Sequence, residues 1–221
     1  MTDWQPLALS FRVALLATAL ATVIGVAIGL ALSHKRVIGR DFLDALSTAP
    51  LVMPPTVLGL YVLVLLGRHS VIGRAWHALT GGTIVFTFTG AVVAATLGAL
   101  PFVIKAARAA LEGVDATLLA AARTLGAGAA RRFFTVQLPL AKRGIVAGIT
   151  LAFARSLGDF GVTLMVAGDI PGQTQTASLA IFDRYQSQEE RAAAGMVALL
   201  TGTAVFALYA ANKLTRARDN G

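Results

Sequence analysis

The sequence predicts an all-α, polytopic membrane protein with about five transmembrane helices, and three observations carry that prediction. Hydrophobic residues make up 56% of the 221-residue chain and charged residues 14%, with a mean hydropathy of +0.72, a balance too apolar for the surface of a soluble domain of this size. Apolar runs at residues 13–32, 45–66, 84–104, 144–167 and 192–211 are each long enough to cross about 30 Å of hydrocarbon at about 1.5 Å per residue. The basic residues fall in alternate connections, as the preference for positive charge on the cytoplasmic side requires.

With the N-terminus outside, 13 of the 19 basic residues lie inside. They are Lys35, Arg36 and Arg40, then Lys105, Arg108, Arg123, Arg131, Arg132, Lys142 and Arg143, then Lys213, Arg216 and Arg218. The outer connections hold Arg68, Arg74, Arg184 and Arg191. The chain is therefore expected to start outside and end in the cytoplasm. This topology accounts for the net charge of +8. No basic motif is interleaved with aromatic residues, so a nucleic-acid partner is not expected. The lack of cysteine excludes a disulfide frame, a thiol nucleophile and a thiolate metal site.

The first span follows a stretch, residues 1–10, without Lys or Arg, and its apolar run exceeds a signal-peptide core, so it should be retained. Gly25 and Gly29, and in the fourth span Gly144 and Gly148, form small-xxx-small pairs that let helices approach closely, within one subunit or across a dimer seam. The second span carries Pro50, Pro54 and Pro55, which no unbroken helix accommodates, so the backbone should kink or unwind there. Such a break either lines a water-filled path, with Thr56 beside it, or is buried between helices. Residues 67–83 read as an external loop with Trp76 at the interface. His69 and His77 lack a carboxylate cluster that would make them metal ligands.

The fourth span contains Arg155, Ser156 and Asp159. Charge in a membrane helix is costly and usually faces a bundle interior or an aqueous path. Arg155 and Asp159, one turn apart, can neutralise each other, and a gating or substrate role is an equal reading. Ser156, Thr56 and Thr163 are neutral donors suited to weak, releasable anion contacts, or to bonding their own helix backbone. Residues 168–176 read as an outer turn, and residues 177–185 as an amphipathic piece along the membrane surface. A membrane enzyme built on Arg155, Ser156 and Asp159 would lack a nearby histidine or second carboxylate to complete an acid–base pair. A membrane scaffold without transport is a third class.

The connection at residues 112–143 is the most distinctive. Asp115 can cap a short helix that runs to Thr124 or Leu125, and Gly126 can end it in a left-handed conformation. Ala120, Ala121 and Ala122 make a shallow face able to enter a groove on another protein. A second short helix at residues 131–137 would offer Phe133 and Phe134 as apolar anchors flanked by Arg131 and Arg132. Pro139 is tolerated near the first turn of the next helix.

The pattern Ala120-Ala121-Ala122-x3-Gly126-x9-Val136-x-Leu138-Pro139 resembles the EAA loop (E-A-A-x3-G-x9-I-x-L-P) of binding-protein-dependent ABC importer permeases. Ala120 stands in place of the motif's glutamate and Val136 in place of isoleucine. Further blocks, Ala49-Pro50-Leu51-Val52-Met53-Pro54-Pro55, Phe153-Ala154-Arg155-Ser156-Leu157-Gly158-Asp159-Phe160-Gly161 and Ile170-Pro171-Gly172-Gln173-Thr174, are similar to the molybdate permease subunits of that family, which carry glutamate where Asp159 sits. The resemblance implies a single permease domain over residues 1–221, of the type I importer fold, in the cytoplasmic (inner) membrane. It implies a second copy of the chain, two cytoplasmic ATPase subunits and an external oxyanion-binding protein as partners, and molybdate as cargo, with tungstate, sulfate or thiosulfate as alternatives. ATP would be used by the partner subunit and no cofactor bound here, in keeping with the lack of a G-x-x-x-x-G-K-[ST] phosphate loop. Ala120, Ala121, Ala122, Gly126, Arg131, Arg132, Phe133, Phe134, Leu138 and Pro139 would then couple to the ATPase. Pro54, Pro55, Thr56, Arg155, Ser156, Asp159 and Thr163 would line or gate the path.

Overall fold

The structure, a computed structural model, describes residues 4–34 and 38–217. Lys35, Arg36 and Arg218, three of the basic residues assigned to the inside, lie outside the described residues. The described chain is built from helices: α1 (Trp4–Ser33), α2 (Arg40–Val52), α3 (Pro55–Leu66), α4 (Val71–Thr80), α5 (Phe88–Glu112), α6 (Ala116–Thr124), α7 (Ala129–Arg132), a π-helical turn (Phe133–Gln137), α8 (Leu138–Leu157), α9 (Gly161–Ala167), α10 (Ala177–Gln186) and α11 (Glu190–Ala217).

Helix α5 is the axis of the molecule. It packs against α1, α2, α8 and α9 and is 67% buried over its most apolar stretch. The small-xxx-small pairs explain how. A Cβ added at Gly25 or Gly29 of α1 would lie 2.8 and 2.9 Å from Val103 and Ala107, and one at Gly144 of α8 would lie 2.6 Å from Ala110 Cβ, with Gly148 against Ala106. Both pairs are therefore used inside the subunit, seating α1 and α8 against neighbouring sides of α5.

Among the described residues, three helical stretches, α1, α5 and Ala129–Leu157, are long and apolar enough to cross a membrane, and the bent pair α2–α3 makes up to four. This revises the expected spans. The second breaks at Met53–Pro54 into α2 and α3, bent by 113°. Pro50 is held within α2, whereas Pro54 caps α3 and Pro55 opens it, where a missing N–H costs little. The third span starts later, because the Thr87 hydroxyl accepts a hydrogen bond from Gly90 N and sets the helix start there, and it continues to Glu112. The fourth does not run unbroken through residues 144–167: α8 ends at Leu157, and α9 begins only at Gly161. The fifth falls within α11, whose described apolar stretch, Ala193–Tyr209, is shorter than a full straight crossing.

Residues 67–83 are not simply a loop. Ser70 accepts a hydrogen bond from Gly73 N at 2.8 Å, Gly81 closes the far end with a left-handed φ of 70°, and α4 forms between them. The amphipathic piece predicted at residues 177–185 is α10, which packs on α11 and α1 through Ala177 and Ala180, against Met196 and Leu7.

Helix α2 is joined to α5 by charge. Asp44 pairs with Lys105 Nζ at 2.6 Å and with Arg108 Nη1 at 2.7 Å. Arg108 Nε reaches Glu112 at 2.9 Å, and Glu112 also pairs with Arg40.

Candidate functional site

Two constellations of candidate residues stand at opposite ends of α8. At its C-terminal end, two breaks in the backbone meet. Helices α3 and α9 pack together so closely that a Cβ at Gly161 would lie 2.6 Å from Pro55 Cβ, and one at Gly59 would lie 2.7 Å from Met165 Cβ. The Met53–Pro54 break and the Gly158–Phe160 break are thereby neighbours.

Asp159 organises the second break. Its Oδ2 accepts hydrogen bonds from Thr163 N at 3.1 Å and from Thr163 Oγ1 at 2.6 Å, which satisfies donors at the start of α9 that no intrahelical carbonyl can reach. Its Oδ1 accepts one from Arg155 Nη1 at 2.8 Å. The Asp159 side chain is 2% exposed, that of Arg155 33%. Opposite them stands Gly98 of α5, where a Cβ would lie 3.5 Å from Arg155 Nη2, so the small residue leaves room for the guanidinium. Phe160 stacks edge-on against Phe182 of α10 at 5.0 Å, tying the break to the neighbouring helix.

The seven path candidates thus divide by exposure. Pro54, Pro55 and Thr56 are exposed on the isolated chain, and Arg155 is partly so. Ser156, Asp159 and Thr163 are buried, at 5%, 3% and 1%. Both Asp159 oxygens are committed to internal donors, and the Ser156 hydroxyl is enclosed without a partner.

At the N-terminal end of α8 lies the α5–α8 connection. Asp115 accepts a hydrogen bond from Thr117 N at 2.8 Å and opens α6. Those hydrogen bonds from Thr117 hold its carboxyl below the usual carboxylate range. Gly126 adopts φ 78°, and the amides of Gly126 and Ala127 close back onto Arg123 O and Ala122 O at 3.0 Å each. A side chain at Gly126 would meet open space, so the conformation and not crowding sets the demand for glycine.

The second short helix expected at residues 131–137 is not separate. Helix α7 runs through the π turn straight into α8, giving one continuous helical rod, Ala129–Leu157. The turn changes the roles of the two phenylalanines. Phe133 packs inward with Ala107, Leu111, Ala141 and Ile145, whereas Phe134, edge-on to it at 5.0 Å, is 65% exposed. Gln137 Nε2 donates to Leu111 O at 3.4 Å, fastening the rod to the end of α5. Leu138 is half-buried against the same cluster, and Pro139 sits exposed in the first turn of α8.

No residue of α6 is buried, and Ala120 and Ala121 are exposed with Ala122 half-buried. Leu118 and Leu125, which sequence reasoning passed over, are 47% and 87% exposed and join Phe134 as outward apolar groups. Their signal was available: large apolar residues within and just after a short helix of a basic connection. A cleft of about 1100 Å³ separates this element from the end of α1, lined by Leu30, Ala120, Arg123, Arg132 and Phe134 among others. Arg131 is exposed, and Arg132 donates to Ala127 O at 3.2 Å.

Residues 21–217 match the family described as binding-protein-dependent transport system inner membrane component. The chain is similar to the molybdenum transport system permease protein ModB of Escherichia coli K12, 40% identical over 215 residues, covering 97% of this chain and 94% of that protein. It is 39% identical over 214 residues to ModB of Azotobacter vinelandii, covering 96% and 95%. The sulfate transport system permease protein CysT of E. coli K12 is 32% identical over 209 residues, covering 93% and 75%. Among solved structures, an inward-facing conformation of the MetNI methionine ABC transporter matches at TM-score 0.69 and 21% identity, covering 97% of this chain and 93% of that one. A bacterial ABC transporter involved in the import of alginate matches at TM-score 0.71 and 13% identity, covering 95% and 78%.

Proposed function

The chain belongs to the family of binding-protein-dependent transport system inner membrane components, and from that premise we propose that it carries molybdate across the cytoplasmic membrane. It is a permease subunit of an ABC importer, with the fold of the MetI-like permeases. The observation that carries the choice of cargo is the 40% identity to ModB over nearly the whole of both chains, against 32% to a sulfate permease.

Family members work with an ATPase and an external binding protein. Here two copies of the chain pair with each other and with two ATPase subunits, and the hydrolysis site belongs to those subunits, since this sequence has no phosphate loop. The N-terminus lies outside, the C-terminus and the α5–α8 connection lie in the cytoplasm, and α10 lies along the outer surface. Helix α6 and the exposed Leu118, Leu125 and Phe134, with Arg131 beside them, dock on the ATPase, the shallow Ala120-Ala121-Ala122 face entering its groove. Without the motif's glutamate at position 120, that docking rests on shape and apolar contact.

The geometry suggests how motion becomes access. Docking moves the Ala129 end of the rod, and the rod delivers that motion to the Gly158–Phe160 break. Because α9 and α3 are packed through Gly161 and Pro55, the Met53–Pro54 break moves with it. Pro54, Pro55 and Thr56, exposed on the single chain, face the path between the two copies. Asp159 and Thr163 hold the break, and Arg155 offers the nearest positive charge to a passing dianion. A path that must release its cargo is served by neutral groups and a neutralised arginine better than by a free one.

The test is uptake. Proteoliposomes holding this chain with its ATPase should accumulate labelled molybdate when ATP and a molybdate-loaded binding protein are present, and excess sulfate should leave that uptake unchanged. Accumulation of sulfate with molybdate excluded would replace the cargo assignment.

A further inference from the structure

Helix α2 is fastened to the chain differently from its neighbours. None of its residues is buried, and Phe42, Leu46 and Val52 are exposed by 72%, 58% and 86%. Its principal contact is α5, where Asp44 receives Lys105 on one carboxylate oxygen and Arg108 on the other. Glu112 joins Arg108 to Arg40 in the first turn of α2. Three cations and two carboxylates thus form one connected network. At its far end α2 meets the Met53–Pro54 break, where the nitrogens of Pro54 and Pro55 have no hydrogen to donate and the helix path turns by 113°. The helix is clamped at one end and hinged at the other, with no core of its own to unpack.

The participating side chains keep between 17% and 45% of their surface exposed. Ion pairs so placed are individually weak and screened by salt, so the clamp holds a position and lets go readily. We propose that Asp44 is a positioning residue for transport: it holds α2 against α5 in one state of the cycle, and in the other state α2 parts from α5 about the Met53–Pro54 hinge. The inference rests on the transport reading above. It adds a moving part on the side of the path that carries Pro54, Pro55 and Thr56, remote in sequence from the ATPase-docking element.

The chain has no cysteine, so introduced labels are the only ones on it when it is labelled before assembly with its partners. Spin labels at Phe42→Cys and Ala109→Cys, both exposed positions, are placed on one copy of the assembled complex with its ATPase and binding protein in lipid nanodiscs. The expected result is one short α2–α5 distance without nucleotide and a second, longer population when ATP and vanadate trap the closed ATPases. Asp44→Asn should raise the longer population without nucleotide by about fivefold, and Asp44→Glu should restore it. Should Asp44→Asn fail to assemble, raising ionic strength from about 0.05 M to about 0.5 M should produce the same shift in the unsubstituted network. An α2–α5 distance unchanged by nucleotide, or a population indifferent to both Asp44→Asn and salt, overturns the proposal. A complex whose α2 moves but which imports no molybdate would count against the cargo and leave Asp44's role standing.

Discussion

The Arg155–Asp159 pair offers a sharp test because its two members are buried so unequally. Replacing Arg155 by Met leaves a carboxylate that is 2% exposed with only Thr163 as donor, which should cost about 3 kcal/mol. Replacing Asp159 by Asn leaves a guanidinium with a third of its surface free, and the amide oxygen can still accept from Thr163 N, so the cost should be about 1 kcal/mol. The double replacement removes both charges and leaves neither stranded, so it should cost about 1–2 kcal/mol in all, well below the sum of the singles. The coupling is thus about 2–3 kcal/mol. Unfolding of the four proteins in one detergent, followed by tryptophan fluorescence, gives the cycle, and initial molybdate uptake by each gives the functional counterpart. A coupling below about 0.5 kcal/mol, or Asp159→Asn proving the more harmful single change, would refute the view that Asp159 is a buried charge neutralised by Arg155 while it holds the start of α9.

Gly126→Val places a β-branched residue at φ 78°, a strain of about 1–2 kcal/mol confined to the end of α6, and should abolish stimulation of the ATPase by loaded binding protein while the membrane helices melt as before. Phe133→Ala and Phe134→Ala should separate: the first empties part of the Leu111–Ile145 cluster and destabilises by about 3 kcal/mol, whereas the second leaves melting unchanged and weakens ATPase binding by about tenfold in a pull-down titration. Burial raises the Asp169 carboxyl above its usual range, with Asp183 nearby adding to the effect. Its folded pKa exceeds its unfolded one, so the protein is favoured below the unfolded value and loses that contribution as pH rises through the folded one. Asp169→Asn should therefore melt higher than the parent at neutral pH and lose that advantage near pH 4, as thermal scans at the two values would show.

How much of this was legible in the sequence depended on how local the deciding chemistry is. Asp115 and Gly126 set α6 through their own backbone neighbours, and the sequence is enough for both. The prolines at 54 and 55 announced the first break in the same way. The break at residues 158–160 was hidden, because an arginine and an aspartate at i and i+4 suit a continuing helix equally well. Helix α8 ends at Leu157 with Gly158 as its cap, and Asp159 both keeps Arg155 and serves Thr163 at the start of α9, an arrangement that spacing does not reveal. The inward turn of Phe133 was equally hidden, since a π turn carries no compositional mark. Arg40, Asp44, Lys105, Arg108 and Glu112 were all visible as charges, but partners separated by 61 and 72 positions meet only once α2 and α5 are packed.

The π turn at Phe133–Gln137 also fixes an angle. Accommodating one extra residue in a helix rotates all that follows by about 100° relative to all that precedes. The Ala129 end of the rod is therefore set out of phase with its Leu157 end, and within the turn Phe133 faces the Ala107–Ile145 cluster while Phe134 is left outward. Deletion of Thr135 or Val136 would restore regular winding and turn the Ala129 end through roughly a quarter of a revolution without shortening the rod by more than about 1.5 Å. Deleting Thr135 or Val136 would keep Phe134 and every other side chain proposed to dock on the ATPase and present those of α7 in the wrong direction. If the proposed docking holds, the azimuth of this element, set by one surplus residue, matters to it as much as the residues themselves.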